Sequence, residues 1–469
     1  MTAPAPSSIQ IQRYDWRKAA CWALYDFANT GYSMIVLALV FPRFYRPFFA
    51  AGLPESEKTF WFGVTISVAS IIVAILAPFL GSIGEITGTR KRLLLRLAVI
   101  SMIACASLAL VEQGLWWLAS LIHIVGLVCF YSANLFFDSM LELVSTRRSR
   151  NLVSGIGYAS GYFAGFLLIL FIAWFTADPP PLGIGDQTLA TRLLFVVTAV
   201  WWGFFSLPLA IGIREKPKPE RPALKAMLER AAVGVKHTFF EIIRIRPVRY
   251  FLLAYLFYID GLNTITITAS NLAEAMGFEF AQTIRAFLIV QIAAVPFSIL
   301  FGFLANRFGA KTLLLIAMVI YLGTTLYGAF IDTEPAVVFG FAISEMYVLA
   351  LLIGCVIGGV QSLSRSFFAN LIPPDKNTAF FGFYSMIGKS AAILGPALLA
   401  LCAWLFNDPD NPVFSTRVGF GAIGLLFIVG GFFLAKVDPR EAPGMQPDAE
   451  PNPPPTALAQ DDATAQPEP

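Results

Sequence analysis

Runs of eighteen or more largely apolar residues recur along the 469-residue chain, and each is long enough to cross a hydrocarbon layer about 30 Å thick. Composition leaves no other reading. The chain is 57% hydrophobic and 13% charged, where a soluble chain carries roughly a quarter charged residues. An all-α polytopic membrane protein follows, because only helices or closed barrels satisfy every backbone group in lipid. Breaks at charged or Pro/Gly-rich positions predict twelve spans, near 19–43, 60–84, 93–111, 115–140, 152–176, 192–213, 248–272, 284–305, 312–331, 337–364, 379–405 and 416–436.

An even number of spans puts both termini on one side. With the N-terminus inside, 25 of the 33 Lys and Arg residues fall in cytoplasmic segments and six in external loops, as the excess of basic residues in cytoplasmic loops requires. Both termini are therefore expected in the cytoplasm. The predicted organisation is a cytoplasmic segment (1–18), a six-helix bundle (19–213), a linker (214–247), a second six-helix bundle (248–436) and a disordered cytoplasmic tail (437–469), since the Pro-, Ala- and acid-rich tail is too polar to bury a core. In the linker, Leu224, Met227, Leu228, Ala231, Val235 and Phe239 recur at helical spacing with Lys225, Arg230 and Lys236 between them. Either a helix lying on the inner leaflet or one packed on the protein's own cytoplasmic ends fits this pattern.

Several functions are excluded by what the chain lacks. No Walker loop, HExxH or GxSxG occurs, the only histidines are His123 and His237, and Cys21, Cys105, Cys129, Cys355 and Cys402 lie scattered in apolar runs. Neither an enzyme, a metal site, a disulfide framework nor a cofactor is expected. A net charge of +3 is too small to mark a nucleic-acid surface. No N-x-[ST] sequon interrupts the short external loops, which fits a bacterial inner membrane better than a glycosylated surface.

Two halves of six spans invite a search for an internal repeat, because transporters often place their substrate site between repeats. Three offsets agree. Gly81-Ser-Ile-Gly-Glu85-Ile-Thr-Gly88-Thr-Arg90 matches Gly302-Phe-Leu-Ala-Asn306-Arg-Phe-Gly309-Ala-Lys311. Asp26-x-x-Asn29 in the first span answers Asp260-x-x-Asn263 in the seventh, and Asn134 with Asp138 in the fourth answers Gln361 with Arg365 in the tenth.

This architecture and these loops resemble the major facilitator superfamily over residues of about 18–436. Within it, Trp22-Ala-Leu-Tyr-Asp-Phe-Ala-Asn29-Thr-Gly-Tyr32, the stretch Gly358-Gly-Val-Gln-Ser-Leu-Ser-Arg365 running on to Pro374, and Phe380-Phe-Gly-Phe-Tyr384 with Gly388-Lys389 and Gly395-Pro396 resemble the vacuole-effluxer-like branch. Glu85, Thr89 and Asn306 depart from the superfamily's loop pattern, which implies a weakened charge relay there. The resemblance implies a permease for neutral amino acids or other small solutes, and a central cavity lined by spans one and seven.

A charge at mid-bilayer costs on the order of 3 kcal/mol, so such residues usually face a cavity or a partner. Asp26, Asn29, Tyr32, Asp260, Asn263, Asn134 and Gln361 are candidates for binding solute or a coupling proton. For Asp26 and Asp260 the competing reading is structural, each carboxylate capping or bonding a neighbouring helix. Asp138, Arg365 and Lys389 suggest a gate of opposite charges from different halves near the cytoplasmic end, or else a permanent pair within one half or cations snorkelling to lipid phosphates. Gly81, Glu85, Gly88, Arg90, Gly302, Asn306, Gly309 and Lys311 are candidate conformational loops. Glu345 is expected to be solvated at the outer end of its span, and His123 to serve packing. The expected protein is a monomeric secondary transporter working by rocker-switch alternating access, with a non-transporting scaffold or receptor, or an intramembrane enzyme, as rivals.

Overall fold

A computed structural model describes residues 15–215, 218, 222–332, 336–338, 341–391, 393–406 and 412–445. The segment up to residue 14, part of the linker and the tail beyond 445, where disorder was expected, lie outside the described residues. The fold is all-α and polytopic. In the first half, α1 (Trp16–Tyr32) continues through wider turns to Phe49, followed by α2 (Glu55–Thr87), α3 (Arg90–Ser107), α4 (Trp116–Ser139), α5 (Arg150–Phe175) and α6 (Gln187–Gly212). The linker helix is α7 (Leu224–Arg244). The second half comprises α8 (Arg246–Ala275), α9 (Phe280–Phe308), α10 (Ala310–Phe330), α11 (Glu345–Leu371), α12 (Asn377–Ser390), α13 (Leu394–Leu405), α14 (Pro412–Ala422) and α15 (Gly424–Ala435).

Among the described residues eleven helical spans are long and apolar enough to cross a membrane. In the twelfth place stands α8, whose thirty residues reach about 45 Å and carry Arg246, Arg249, Asp260 and Asn263.

Three spans differ from their predicted form. The tenth was expected over 337–364, but Ala336–Val338 and Phe341–Ile343 pair as a two-stranded antiparallel hairpin and the helix begins only at Glu345. An acidic residue in the first turn is favoured by the helix dipole, and the Glu345 carboxylate also accepts from the Asp332 backbone N–H at 2.8 Å. At its other end the helix continues to Leu371, past Arg365, and stops before Pro373 and Pro374, which cannot prolong it. The eleventh span breaks between Ser390 and Leu394, and the twelfth at Ile423.

The halves meet along two repeat-related seams, α2 against α12 and α5 against α9. Both are built on glycine. A Cβ on Gly81 would stand 2.7 Å from the Thr378 carbonyl oxygen, and one on Gly382 2.7 Å from that of Ala77; across the other seam Gly302 would meet the Asn151 carbonyl at 2.7 Å and Gly155 that of Ser298 at 2.5 Å. Backbones this close leave no room for a side chain. All four contacts lie toward the end that carries the basic loops around Arg90–Arg92 and Arg147–Arg150. Beyond the break, α13 packs on α14 and α8 instead of continuing the seam with α2.

Of the two readings of the linker, α7 displays packing on the protein itself. Ala231, Thr238 and Ile242 are buried where the helix lies against α2 and α12, and the Lys376–Glu241 ion pair fastens it to the start of α12. Leu224, Leu228, Val233 and Phe240 remain exposed at other points around the helix. The tail, predicted to be disordered from residue 437, instead begins with two short turns, Pro439–Glu441 and Pro443–Met445. A Cβ on Gly444 would meet the Asn370 and Ile372 carbonyl oxygens, so these residues lie against the end of α11.

Candidate functional site: a polar cavity between the halves

In α11, Gly358 and Gly359 lie against Ser298 and Phe301 of α9, and the following turns present Gln361 and Arg365 to the first half. Arg365 is 1% exposed. Its Nη1 donates to Asp138 Oδ1 at 3.0 Å and lies 3.6 Å from Asp26 Oδ2. Nε donates to the Ser154 hydroxyl at 3.0 Å and Nη2 to the Ser154 carbonyl at 3.2 Å. The guanidinium also lies over the rings of Tyr158, at 4.4 Å, and Trp22, at 4.6 Å. Trp22 is fixed in turn by its Nε1–H bond to the Phe137 carbonyl at 3.0 Å.

A buried cation is tolerable only when paired, hydrogen-bonded and favourably stacked, and every wall here supplies one of these. Gly157 makes the room, since a Cβ there would come within 3.0 Å of the guanidinium and 3.2 Å of Asp26 Oδ2. The sequence places Asp138 and Arg365 near the cytoplasmic end; in the structure α11 runs a further turn and a half beyond Arg365, which is enclosed by the first half rather than set at a mouth.

Beside this cluster lies a cavity of about 200 Å³ lined by Asn134, Asp138, Asn263, Gln361 and Lys389, together with Tyr131, Tyr158, Tyr255 and Tyr384. Five candidates from four spans are thus brought together. Lys389 Nζ sits 3.4 Å from the centre of the Tyr131 ring, and Gln361 Oε1 accepts from the Tyr162 hydroxyl at 2.6 Å. Asn29 stands behind the wall, its Nδ2 donating to Asn134 Oδ1 at 3.0 Å. Tyr32 does not reach the cavity: it is buried within the first half, stacked on Phe130 with ring centres 4.6 Å apart.

Asp260, predicted as the counterpart of Asp26, is engaged elsewhere. Its carboxylate accepts from the backbone N–H of Leu394 at 2.8 Å and of Gly395 at 3.1 and 3.2 Å, and from the Thr264 hydroxyl at 3.2 Å. It caps the start of α13, where unpaired N–H groups and the helix dipole favour an anion. A side chain at Gly395 would collide with Asp260 Oδ1 and Thr264. This is the structural reading of the two weighed for Asp260.

The two repeat loops use different chemistry. Glu85 accepts from the Thr378 N–H at 3.0 Å and pairs with Lys218 at 3.5 Å and Arg90 at 4.0 Å; Arg90 also reaches Glu142 at 3.8 Å. Burial pushes the Glu142 carboxyl up, with Arg150 and Arg90 opposing that shift. In the second half Asn306 accepts from Asn151 at 3.3 Å and Lys311 donates to the Ala435 carbonyl at 2.9 Å. Gly88 and Gly309 turn their chains with φ of +61° and +83°, where glycine is favoured. His123 is buried, stacked on Phe41 with ring centres 4.0 Å apart.

Sequence reasoning missed Ser154, which gives Arg365 two of its bonds, and Arg150, whose Nη1 donates across the halves to the Ala369 carbonyl at 2.9 Å and Asn370 Oδ1 at 2.8 Å. Ser154 could have been noticed as the polar member of the small-residue face that also carries Gly155, Gly157 and Gly161.

Against known proteins, the family model described as "Vacuole effluxer Atg22 like" matches residues 15–442. The chain is 33% identical over 423 residues to an uncharacterized MFS-type transporter, YxiO, of Bacillus subtilis strain 168, covering 89% of this chain and 94% of that one. It is 28% identical over 283 residues to Autophagy-related protein 22 of Cryptococcus neoformans, covering 58% of this chain and 50% of that protein. Among solved structures it resembles the proton:xylose symporter XylE (TM-score 0.68, 16% identity, 91% and 96% of the two chains) and the human organic anion transporter MFSD10 (TM-score 0.64, 14% identity, 89% and 99%). At those identities the likeness shows the fold alone.

Proposed function

We propose, from the premise that this chain belongs to the Atg22-like vacuole effluxer family of major facilitator transporters, that it carries a small zwitterionic solute, a neutral amino acid, through the cavity between its halves by rocker-switch alternating access coupled to a proton. Membrane transport is what the relatives and the fold have in common. The specific reading rests on one observation: a carboxylate, Asp138, and an ammonium, Lys389, stand on the wall of one 200 Å³ cavity. Opposite charges on one wall suit a solute that carries both an ammonium and a carboxylate, and the volume suits one smaller than a drug-sized ligand.

Coupling to a proton is supported by charge. Two carboxylates, Asp26 and Asp138, share the Arg365 guanidinium, so a proton on one of them leaves the group neutral. Alternation is supported by the seams, tight at the end with the basic loops and built on backbone contact, and by the gating candidates Asp138 and Arg365, which join the halves deeper in the molecule. On this reading the basic end is cytoplasmic, both termini lie there, and the membrane is a bacterial inner membrane.

The test is reconstitution into liposomes with an imposed pH gradient, after a thermal-shift screen of amino acids, sugars and nucleosides at two pH values. A neutral amino acid should raise the melting temperature by mass action and accumulate only with the gradient present. Binding without uptake under any gradient would move the protein to the receptor reading.

A further inference from the structure

The first turn of α3 is capped from a distance. Glu215, three residues past the end of α6, accepts from the backbone N–H of Arg90 and of Lys91 through its two carboxylate oxygens, each at 2.8 Å. The repeat-related helix, α10, lacks that cap: its N-cap is Gly309, and among the described residues no side chain accepts from its first amides. The acid at the matching position, Asp438, three residues past α15, turns inward and accepts from the Arg440 N–H at 3.0 Å.

What stands there instead is a cavity of about 700 Å³, lined by Arg147, Arg148 and Asn151 of the first half, Lys311 and Thr312 of α10, and Met445. The cationic side chains of Arg148 and Lys311, with the amides of a helix start, favour a carboxylate. Asn151 is 8% exposed, and its Oδ1 has no hydrogen-bond partner, so the site also offers an acceptor for an N–H donor. A peptide supplies both groups. Residues 446–469, which continue from Met445 on the cavity wall, carry Asp448, Glu450, Asp461, Asp462 and Glu468 and no Lys or Arg. Asp448 lies three residues from Met445, a span of roughly 10 Å of extended chain.

We propose that this cavity is the docking site of the protein's own acidic C-terminal tail, one of whose carboxylates takes on α10 the place that Glu215 takes on α3.

The experiment is hydrogen exchange on the full-length protein in phosphatidylcholine nanodiscs, native against a full-length chain with Asp448→Asn, Glu450→Gln, Asp461→Asn, Asp462→Asn and Glu468→Gln. In the native protein the amides of Lys311 and Thr312 should be protected like those of Arg90 and Lys91. In the neutralised chain they should exchange roughly tenfold faster, as for the loss of a helix cap, while Arg90 and Lys91 remain as they were, which also reports that the variant is folded. Equal exchange at Lys311 and Thr312 in the two chains overturns the proposal. So does protection that appears only when anionic phospholipid or inorganic phosphate is added, which would assign the cavity to a phosphate group. As a second measurement, zero-length carbodiimide coupling of the native protein should join Lys311 to a carboxylate within 448–468; coupling of that tail to other lysines alone counts against docking.

Discussion

Asp26 and Asp260 occupy the same D-x-x-N motif in the first and seventh spans, and they have parted company. Asp26 faces a guanidinium from the opposite half, and its Oδ2 is buried without a hydrogen bond. Asp260 is fully buried and accepts from two backbone amides and a hydroxyl, all within its own half. An inherited motif places a carboxylate, but its partners decide what the carboxylate does. One is held by a contact between the halves; the other is built into a helix terminus.

That contrast can be broken most severely at Arg365. Arg365→Gln leaves Asp26 and Asp138 buried without their cation, and removing one partner of a buried pair costs about 3–5 kcal/mol. Thermal melting should fall steeply and transport vanish, with part of the melting temperature restored when Asp26→Asn and Asp138→Asn are added. A melt unchanged by Arg365→Gln would show that the cluster is solvated.

A smaller effect is expected at the seams. Gly382→Ala drives a methyl group against the Ala77 carbonyl, an overpacking that typically costs about 1–3 kcal/mol. The cost falls on the form closed at the basic end, so cysteines placed in that seam should become more reactive to a water-soluble maleimide. Gly155→Ala should do the same across the other seam; reactivity raised at neither would remove the seams from the conformational change.

Asp260→Asn should cost about 1 kcal/mol, the usual value of a helix cap, while leaving the pH dependence of uptake unaltered. Asp26→Asn should move the melting temperature least and the pH profile most. If Asp260→Asn shifts the profile instead, the division of labour between the two residues is the reverse of that drawn above.

Much of this was legible from residues alone. Twelve apolar runs and three offset matches set out the spans and the two halves; Asn134 and Gln361 line one cavity, and Asp138 pairs with Arg365 across the halves. The depth of Arg365 was hidden, because what makes it tolerable in a helix interior is Ser154, Trp22 and Tyr158, more than two hundred residues away in the chain. The break before Leu394 was equally hidden. No proline or charge interrupts the chain between Ser390 and Leu394, and the break is stabilised by a carboxylate on another helix. The turns of Val437–Met445 were missed because a tail so rich in proline reads as unable to build a core; instead Gly444 packs against the Asn370 and Ile372 carbonyls at the end of α11.

Lys389, held over the Tyr131 ring, completes a count begun at Arg365. The two cations balance the two carboxylates Asp26 and Asp138, so on the proposed reading this cluster adds no net charge to be moved when the empty transporter reorients. A zwitterion adds nothing to that balance, whereas one proton on a carboxylate leaves a single positive charge to be carried. Each charge crossing a potential of 100 mV is worth about 2.3 kcal/mol. The loaded carrier would therefore feel the electrical gradient as well as the chemical one, and its turnover should produce a measurable current.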